Sequence, residues 1–231
     1  MRIDKFIGNN TDLSRTQIHA AMKRGEVKCN GERVSKTNAS MQPDDIIELD
    51  NTVIKPLNIR YLMLHKPAGY VCANSDSEHP TVLDLLDLPH KHNLQIAGRL
   101  DLDTTGLVLL TDDGQWNHRV TAPRKACTKR YRLITADPIG EDIAAAFAAG
   151  VLLHGEQKPT LPALLRLTGS HQALLEIQEG KYHQVKRMFA AVGNRVISLH
   201  RESIGSIELD SELEPGKYRP LTPSEIASFC G

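Results

Sequence analysis

The chain has 231 residues, with 28 Lys and Arg against 28 Asp and Glu. It therefore carries no formal charge, and only local patches can argue for an acidic partner. No apolar run approaches the ~18 residues of a membrane span, and Met1-Arg2-Ile3-Asp4-Lys5 lacks a signal-peptide apolar region, so the sequence reads as cytoplasmic, with no membrane contact. Cys29, Cys72, Cys127 and Cys230 lie far apart without a Cys-x-x-Cys pair. They give no zinc-site spacing and no disulfide framework, which leaves free thiols in a reducing compartment as the simpler reading.

Residues 1 to 56 read as a small module. Arg2 to Ile7 suggests a short amphipathic helix. Ser14 opens a second, with Gln17 completing a capping box, Ile18, Ala21 and Met22 on the inner face and Gly25 as the stop. Asn30-Gly31 joins Val27-Lys28-Cys29 to Glu32-Arg33-Val34 as a hairpin, because both turn positions of its favoured turn require positive φ. Pro43-Asp44-Asp45 then turns the chain into a short strand, Ile46 to Leu49. From Arg15 to Lys36 there are six bases against two acids. A basic helix and hairpin face suits sequence-independent phosphate binding, and Arg15, Lys23, Arg24 and Lys28 are the candidate RNA contacts.

Asn51 to Asn58 shows little hydrophobic periodicity and reads as a linker ending at residues 57–59. The main domain spans residues 60 to 231. Arg60 to His65 reads as a strand, Lys66-Pro67-Ala68-Gly69-Tyr70 as a turn, Val71-Cys72-Ala73 as a second short strand, and Thr81 to Leu88 as a short helix. Gly98-Arg99-Leu100-Asp101-Leu102-Asp103-Thr104-Thr105-Gly106 then puts an arginine, two carboxylates and two threonines in a glycine-bounded loop. Leu107-Val108-Leu109-Leu110 follows as a buried strand, so a polar loop is pinned to a core strand, a place where scaffolds present chemistry.

Gln115 to Val120 predicts a helix closed before Pro123. Gln115 to Ala136 holds six Lys or Arg (positions 119, 124, 125, 129, 130 and 132) and no acid. With Trp116 and Tyr131 available to stack bases, this tract suits nucleic acid. Lys129 to Ile134 predicts a strand with Lys129, Tyr131 and Leu133 on one face. Gly140 to Gly150 is helical and Ala173 to Ile177 a strand. Glu179-Gly180-Lys181-Tyr182-His183 leads into a helix from Gln184 to Val192, with Val185, Met188 and Phe189 facing a core and Lys186 at its edge. Thr222-Pro223-Ser224-Glu225 opens a last helix through a capping box. Strands and helices alternate without regular βαβ spacing, so the expected class is α+β with a mostly antiparallel or mixed sheet.

Two resemblances follow from these motifs. Arg2-x-Asp4-Lys5-Phe6, Ser14-Arg15, Arg24-Gly25-x-Val27-x-x-Asn30-Gly31 and Pro43-Asp44-Asp45-x-Ile47 together resemble the S4 RNA-binding module, which implies docking on structured RNA. Gly98-Arg99-Leu100-Asp101 with Thr105-Gly106-Leu107, Lys129-x-Tyr131, and Glu179-Gly180-x-Tyr182-His183-Gln184-Val185-Lys186-Arg187-Met188 resemble the RsuA/RluA branch of pseudouridine synthases. Lys66-Pro67-x-Gly69-Tyr70 and Asp113-Gly114-Gln115-Trp116 lean towards members acting on the small subunit. Large-subunit members, acting on 23S rRNA, share the main motifs.

This resemblance implies isomerisation of a uridine in 16S rRNA, uridine 516 in standard numbering, within a small-subunit assembly intermediate, by a monomer that needs no cofactor or metal. It implies Asp101 as the essential carboxylate, which either attacks the ribose anomeric carbon or removes a sugar proton. Lys186 is its cationic partner at a position where the family more often has Arg. Tyr131 packs on the target uracil, Val185 gives apolar contact, and Arg99 meets the flipped nucleotide's phosphate or fills the space it leaves. Asp103, by alternation, points away from Asp101 in a structural role. Two other readings stay open on the residues: an S4-bearing assembly factor without activity, and a glycosidase using Asp101 and Asp103 as an acid/base pair.

Overall fold

The computed structural model describes residues 1–122 and 127–229, and these divide into two units. One comprises Met1–Ile59 with Leu88–Asn93; the other comprises Arg60–Asp87 and Leu94–Gly231. Arg124 and Lys125 of the basic tract, Pro123 and Cys230 lie outside the described residues.

In the first unit, α1 (Ile3–Asn10) and α2 (Arg15–Arg24) precede four short strands, β1 (Val27–Cys29), β2 (Glu32–Arg33), β3 (Ile47–Leu49) and β4 (Thr52–Val53), ordered β2-β1-β3-β4. The capping box of α2 forms as the spacing requires. Ser14 Oγ accepts from the Gln17 N–H, Gln17 Oε1 accepts from the Ser14 N–H, and Gly25 ends the helix at φ 78°. Asn30 and Gly31 turn the first hairpin at φ 53° and 81°. The linker expectation for Asn51 onwards is corrected at its start. Asp50 and Asn51 both adopt left-handed φ, 49° and 60°, and reverse the chain so that Thr52 pairs with Leu49. The sheet is too short for periodicity to reveal this. Ile3, Phe6, Ile7, Ile18, Met22, Val27 and Ile47 form the core of this unit.

The second unit is built on a nine-stranded mixed sheet. Its strands are β5 (Tyr61–Lys66), β6 (Gln95–Ala97), β7 (Thr105–Thr111), β8 (Lys129–Thr135), β9 (Leu164–Gly169), β10 (Gln172–Ile177), β11 (Val196–Ile204), β12 (Ile207–Glu208) and β13 (Tyr218–Pro220). The main path runs β13-β5-β7-β11-β8-β10-β9, with β6 beside β7 and β12 beside β11. Among the described residues, β7 and β11 are the one pair of these strands that runs parallel; the other pairings are antiparallel, in keeping with the mixed sheet of the α+β reading. Around it lie α3 (Gly114–Thr121), α4 (Asp142–Ala149), α5 (Gln184–Ala191) and α6 (Pro223–Ala227).

Two local expectations fail. Thr81 to Leu88 forms turns rather than a helix, and Val71 makes a single parallel bridge to Thr81 in place of a strand. Within Thr81 to Leu88 the Asp84 carboxylate accepts from the Thr81 N–H at 2.7 Å and the Thr81 hydroxyl at 2.9 Å, tying a turn that does not extend into a helix. Trp116 also differs from the expectation. It is fully buried, edge-on to Tyr61 and Phe229, and its indole N–H donates to the Ile226 carbonyl at 3.0 Å. It is a core residue and cannot stack on a base.

Candidate active site

The loop from Gly98 to Thr104 runs between β6 and β7 and is held from beneath by two buried cations. Arg201, inward on β11 and 2% exposed, donates from Nε to the Leu107 carbonyl and from Nη2 to the Gly98 carbonyl, each at 2.8 Å. Its Nη1 reaches the Arg99 carbonyl at 3.4 Å. Lys66, at the end of β5, donates from Nζ to the carbonyls of Thr104, Pro67 and Leu102 at 2.7, 3.1 and 3.2 Å. The Leu102 carbonyl also accepts from the Gly69 N–H at 2.9 Å. Burial pushes the Lys66 ammonium below its ordinary pKa, opposed by Cys72, Asp103 and Asp101 nearby. A loop tied through this many backbone carbonyls holds its side chains in fixed geometry, as reactive groups require.

Gly106 makes the close approach behind this loop. It sits at φ 107°, and a Cβ there would lie 2.3 Å from the Arg201 carbonyl oxygen. Only glycine lets β7 run parallel to β11 at this point.

Above the loop, α5 delivers the expected cation. Lys186 Nζ lies 3.2 Å from Asp101 Oδ2 and 2.5 Å from Asp103 Oδ1. The expectation that Asp103 points away from Asp101 is thus corrected. Residues 101–103 form a turn and not a strand, so alternation does not apply and both carboxylates meet one ammonium. Burial works against the charge on Lys186, but its hydrogen bonds to Asp103 and Asp101 raise its pKa above the ordinary value. The same Lys186 bond holds the Asp103 carboxyl below the usual carboxylate range, against the opposing effect of partial burial. A third group stands at Asp101: His183 Nε2 lies 3.4 Å from Oδ1.

These residues open onto a cavity of about 810 Å³, within the range of small-molecule sites, whose lining includes Arg99, Asp101, Lys129, Tyr131, Val185 and Lys186. Tyr131 and Val185 are buried and Arg99 is exposed. Tyr131 and Leu133 share the buried face of β8, with Lys129 half-buried beside them. Burial pushes the Lys129 ammonium below its ordinary pKa, which Cys127 opposes and Arg201 reinforces. Among the described residues no group of three or more His, Cys, Asp or Glu is placed to hold a metal ion. A carboxylate between an ammonium and an imidazole, in a cavity with apolar and aromatic walls, can act as a nucleophile or a base on a bound ring system.

The structure brings Asp101, Tyr131 and Lys186, the three expected from the sequence, to one cavity; Lys66, Arg201 and His183, which hold the loop or stand beside Asp101, were not among the expected site residues. Arg201 had a usable signal. Leu199, Arg201 and Ser203 alternate on the inward face of a strand, and an arginine at an inward position must find buried acceptors. The four candidate RNA contacts belong to the first unit. Arg15 and Lys23 are exposed, whereas Arg24 pairs with Glu26 at 2.6 Å and Lys28 donates to Asn51 Oδ1 at 2.8 Å.

Residues 60–191 match the family model for RNA pseudouridylate synthase. The chain is 49% identical over 227 residues to ribosomal small subunit pseudouridine synthase A of Haemophilus influenzae, covering 98% of each protein. It is 50% identical over 229 residues to the Escherichia coli protein of that name, covering 99% of each. A crystal structure of a pseudouridylate synthase is 48% identical and superposes with a TM-score of 0.73 over 99% of both chains. The chain belongs to the RNA pseudouridylate synthase family.

Proposed function

We propose that this protein isomerises a uridine of 16S rRNA to pseudouridine, at uridine 516 in standard numbering, acting as a cytoplasmic monomer on a small-subunit assembly intermediate. The observation that carries the proposal is the meeting of Asp101, Tyr131 and Lys186, from three separate segments, at one cavity. The identity of about half the residues to small-subunit relatives over nearly their whole length favours 16S over 23S rRNA.

In this reading the target nucleotide leaves its stack and enters the cavity, at a cost of a few kcal/mol of unstacking. Asp101, beside Lys186, either attacks the ribose anomeric carbon or removes a sugar proton. The C–N glycosidic bond breaks, uracil turns between Tyr131 and Val185, C5 bonds to the anomeric carbon, the C5 proton departs to solvent, and N1 takes up a proton in its place. Bonds broken and formed balance within one nucleotide, so no cofactor is consumed. Tyr131 packs on the ring and stands where the C5 proton leaves. Arg99, exposed at the lip, meets the phosphate of the flipped nucleotide or fills its vacated space. The first unit is an S4-like module that docks on folded RNA through Arg15, Lys23, Arg24 and Lys28.

RNA containing 5-tritiated uridine tests the proposal directly. The unaltered protein releases tritium and Asp101→Asn does not, while its RNA affinity stays within about threefold. Turnover retained in Asp101→Asn rejects the carboxylate mechanism. Release of free base in place of tritium indicates a glycosidase, and binding with neither product indicates a non-catalytic assembly factor.

A further inference from the structure

At the outer edge of the cavity stands an aromatic pair, Tyr182 and His183, whose phenol the chemistry at Asp101 does not use. Tyr182 is 75% exposed and lies flat against His183, with ring centroids 3.8 Å apart and an interplanar angle of 20°. Among the described residues it is the sole Phe, Tyr or Trp in the exposed class. One face of the phenol is covered by the imidazole, and its exposure leaves the other face to solvent. An aromatic ring buries 150–250 Å² when it serves packing, so packing does not account for this placement.

The backbone under the pair is braced. His183 adopts the left-handed region at φ 47°, uncommon for a residue with a side chain. Arg187 donates from Nη1 to the Tyr182 carbonyl at 3.0 Å and from Nη2 to the His154 carbonyl at 2.8 Å. Glu156 takes both Arg187, at 3.2 Å, and Lys181, at 3.1 Å. The Lys181 N–H donates to Gln184 Oε1 at 2.8 Å. Each residue of the segment 181–183 is thereby fixed, and the imidazole that backs the phenol is itself 3.4 Å from the Asp101 carboxylate. The platform begins one ring away from the reacting group.

We propose that Tyr182, backed by His183, is a stacking subsite for the RNA base next to the flipped uridine. Such a base loses its stacking partner when its neighbour leaves, and the open face of Tyr182 replaces it. The target ring goes to Tyr131 inside the cavity; the adjacent ring goes to Tyr182 at the edge. A base–aromatic stack tolerates any base, because every base presents a π-face. This inference rests on the RNA-modifying reading above.

The test uses the full-length protein, its Tyr182→Ala, Tyr182→Phe and Tyr182→Trp variants, and three 5-tritiated RNAs: one intact, and two with an abasic nucleotide immediately 5′ or 3′ of the target uridine. Tyr182→Ala lowers kcat/KM on intact RNA by about tenfold or more, the size of one base–aromatic stack, while Phe and Trp stay within about twofold. On one of the two abasic RNAs the unaltered protein loses the same factor and Tyr182→Ala loses nothing further. The proposal is overturned if Ala has no effect, if Phe is as damaging as Ala, or if the loss persists in full on both abasic RNAs. Should the unaltered protein release no tritium from any RNA, the catalytic reading fails instead. The same ratios are then read from dissociation constants for the three RNAs and decide the subsite independently.

Discussion

Lys186 holds Asp103 more closely than Asp101, at 2.5 against 3.2 Å, although Asp103 is the exposed carboxylate and Asp101 the more sheltered one. The ammonium is therefore anchored by a group on the rim and shared with the reacting carboxylate. A shared cation sets positive charge beside Asp101 without a tight bond that the reaction would have to break. Replacing Lys186 with Met is expected to lower single-turnover tritium release by a hundredfold or more, on the scale of removing one electrostatic group from an active site. Lys186→Arg keeps the charge and loses less than about tenfold. Asp103→Asn is expected to stay within about tenfold, because an exposed ion pair contributes roughly 0–1 kcal/mol. A larger loss in Asp103→Asn than in Lys186→Met would assign Asp103 the chemistry.

Arg201 is predicted to be as sensitive as a catalytic group without touching substrate. Arg201→Met leaves the carbonyls of Leu107, Gly98 and Arg99 without their charged donor. Hydrogen bonds to charged groups contribute about 1.5–3 kcal/mol each, so loss of the two at 2.8 Å is expected to cost about 3–6 kcal/mol by chemical denaturation. In the fraction that folds, kcat falls more than KM rises, because the loop carrying Asp101 loses its support. Arg201→Lys restores part of the stability but not the forked geometry. Unchanged stability in Arg201→Met would remove Arg201 from this role.

The segments that meet at the cavity were visible in the residues: a D-x-D loop ahead of four aliphatic residues, a tyrosine on a strand and a lysine between core positions of a helix. Only the family resemblance, and no local pattern, singled out Asp101, Tyr131 and Lys186 among them. What was not readable was how they are held. Apart from the bond of Lys66 to the neighbouring Pro67 carbonyl, Lys66 and Arg201 act through backbone carbonyls 36 to 103 residues away, and carbonyls leave no mark in sequence. The turn at Asp101–Asp103 escaped for another reason. Alternation assumes an extended strand, and here it ends where the carboxylates begin. β4 was hidden because its turn, Asp50-Asn51, lacks the glycine that marked Asn30-Gly31.

Gly106→Ala is expected to be among the most damaging small substitutions in the chain. The position combines φ of 107° with a Cβ 2.3 Å from the Arg201 carbonyl oxygen, so no side-chain rotation relieves it. Separation of β7 from β11 would also move Arg201 from beneath the loop. A loss above about 4 kcal/mol, or failure to fold, is the expected result, a size reserved for such specific mechanisms. Near-normal stability measured by urea unfolding would contradict the close approach.

Arg15 and Lys23 give a clean test of phosphate reading by the first unit, because both are exposed and neither is engaged like Arg24 with Glu26. Each phosphate that is no longer neutralised reduces the slope of log affinity against log salt by about 0.7–0.9. The double variant Arg15→Gln with Lys23→Gln is therefore expected to flatten the slope by about 1.5 while the folded state is unaffected. Filter binding of the intact RNA at a series of salt concentrations reads this. An unchanged slope shows that these two cations do not meet phosphate.

Acid sensitivity is predicted to report on Glu225. The guanidinium of Arg219 grips its carboxylate through two bonds, at 2.9 and 3.0 Å, and the Thr222 N–H adds a third at 2.7 Å. Led by the Arg219 bond, and against some opposing burial, these partners hold its pKa down to about 2 from an ordinary value of 4.5. A carboxyl whose pKa is lower folded than unfolded binds more protons when unfolded. It contributes full stability above the unfolded value and loses that contribution as pH falls through the folded one. The window is therefore from about 4.5 down to about 2. Glu225→Gln removes the ionisation, so its stability is expected to be lower at neutral pH and the gap to the unaltered protein to close across that window. Far-ultraviolet unfolding curves at several pH values measure the gap, with the fluorescence of Trp116, bonded to the Ile226 carbonyl beside the cap, as a local probe. A gap that stays constant from pH 6 to pH 2 would mean that Arg219 does not hold Glu225 ionised in solution.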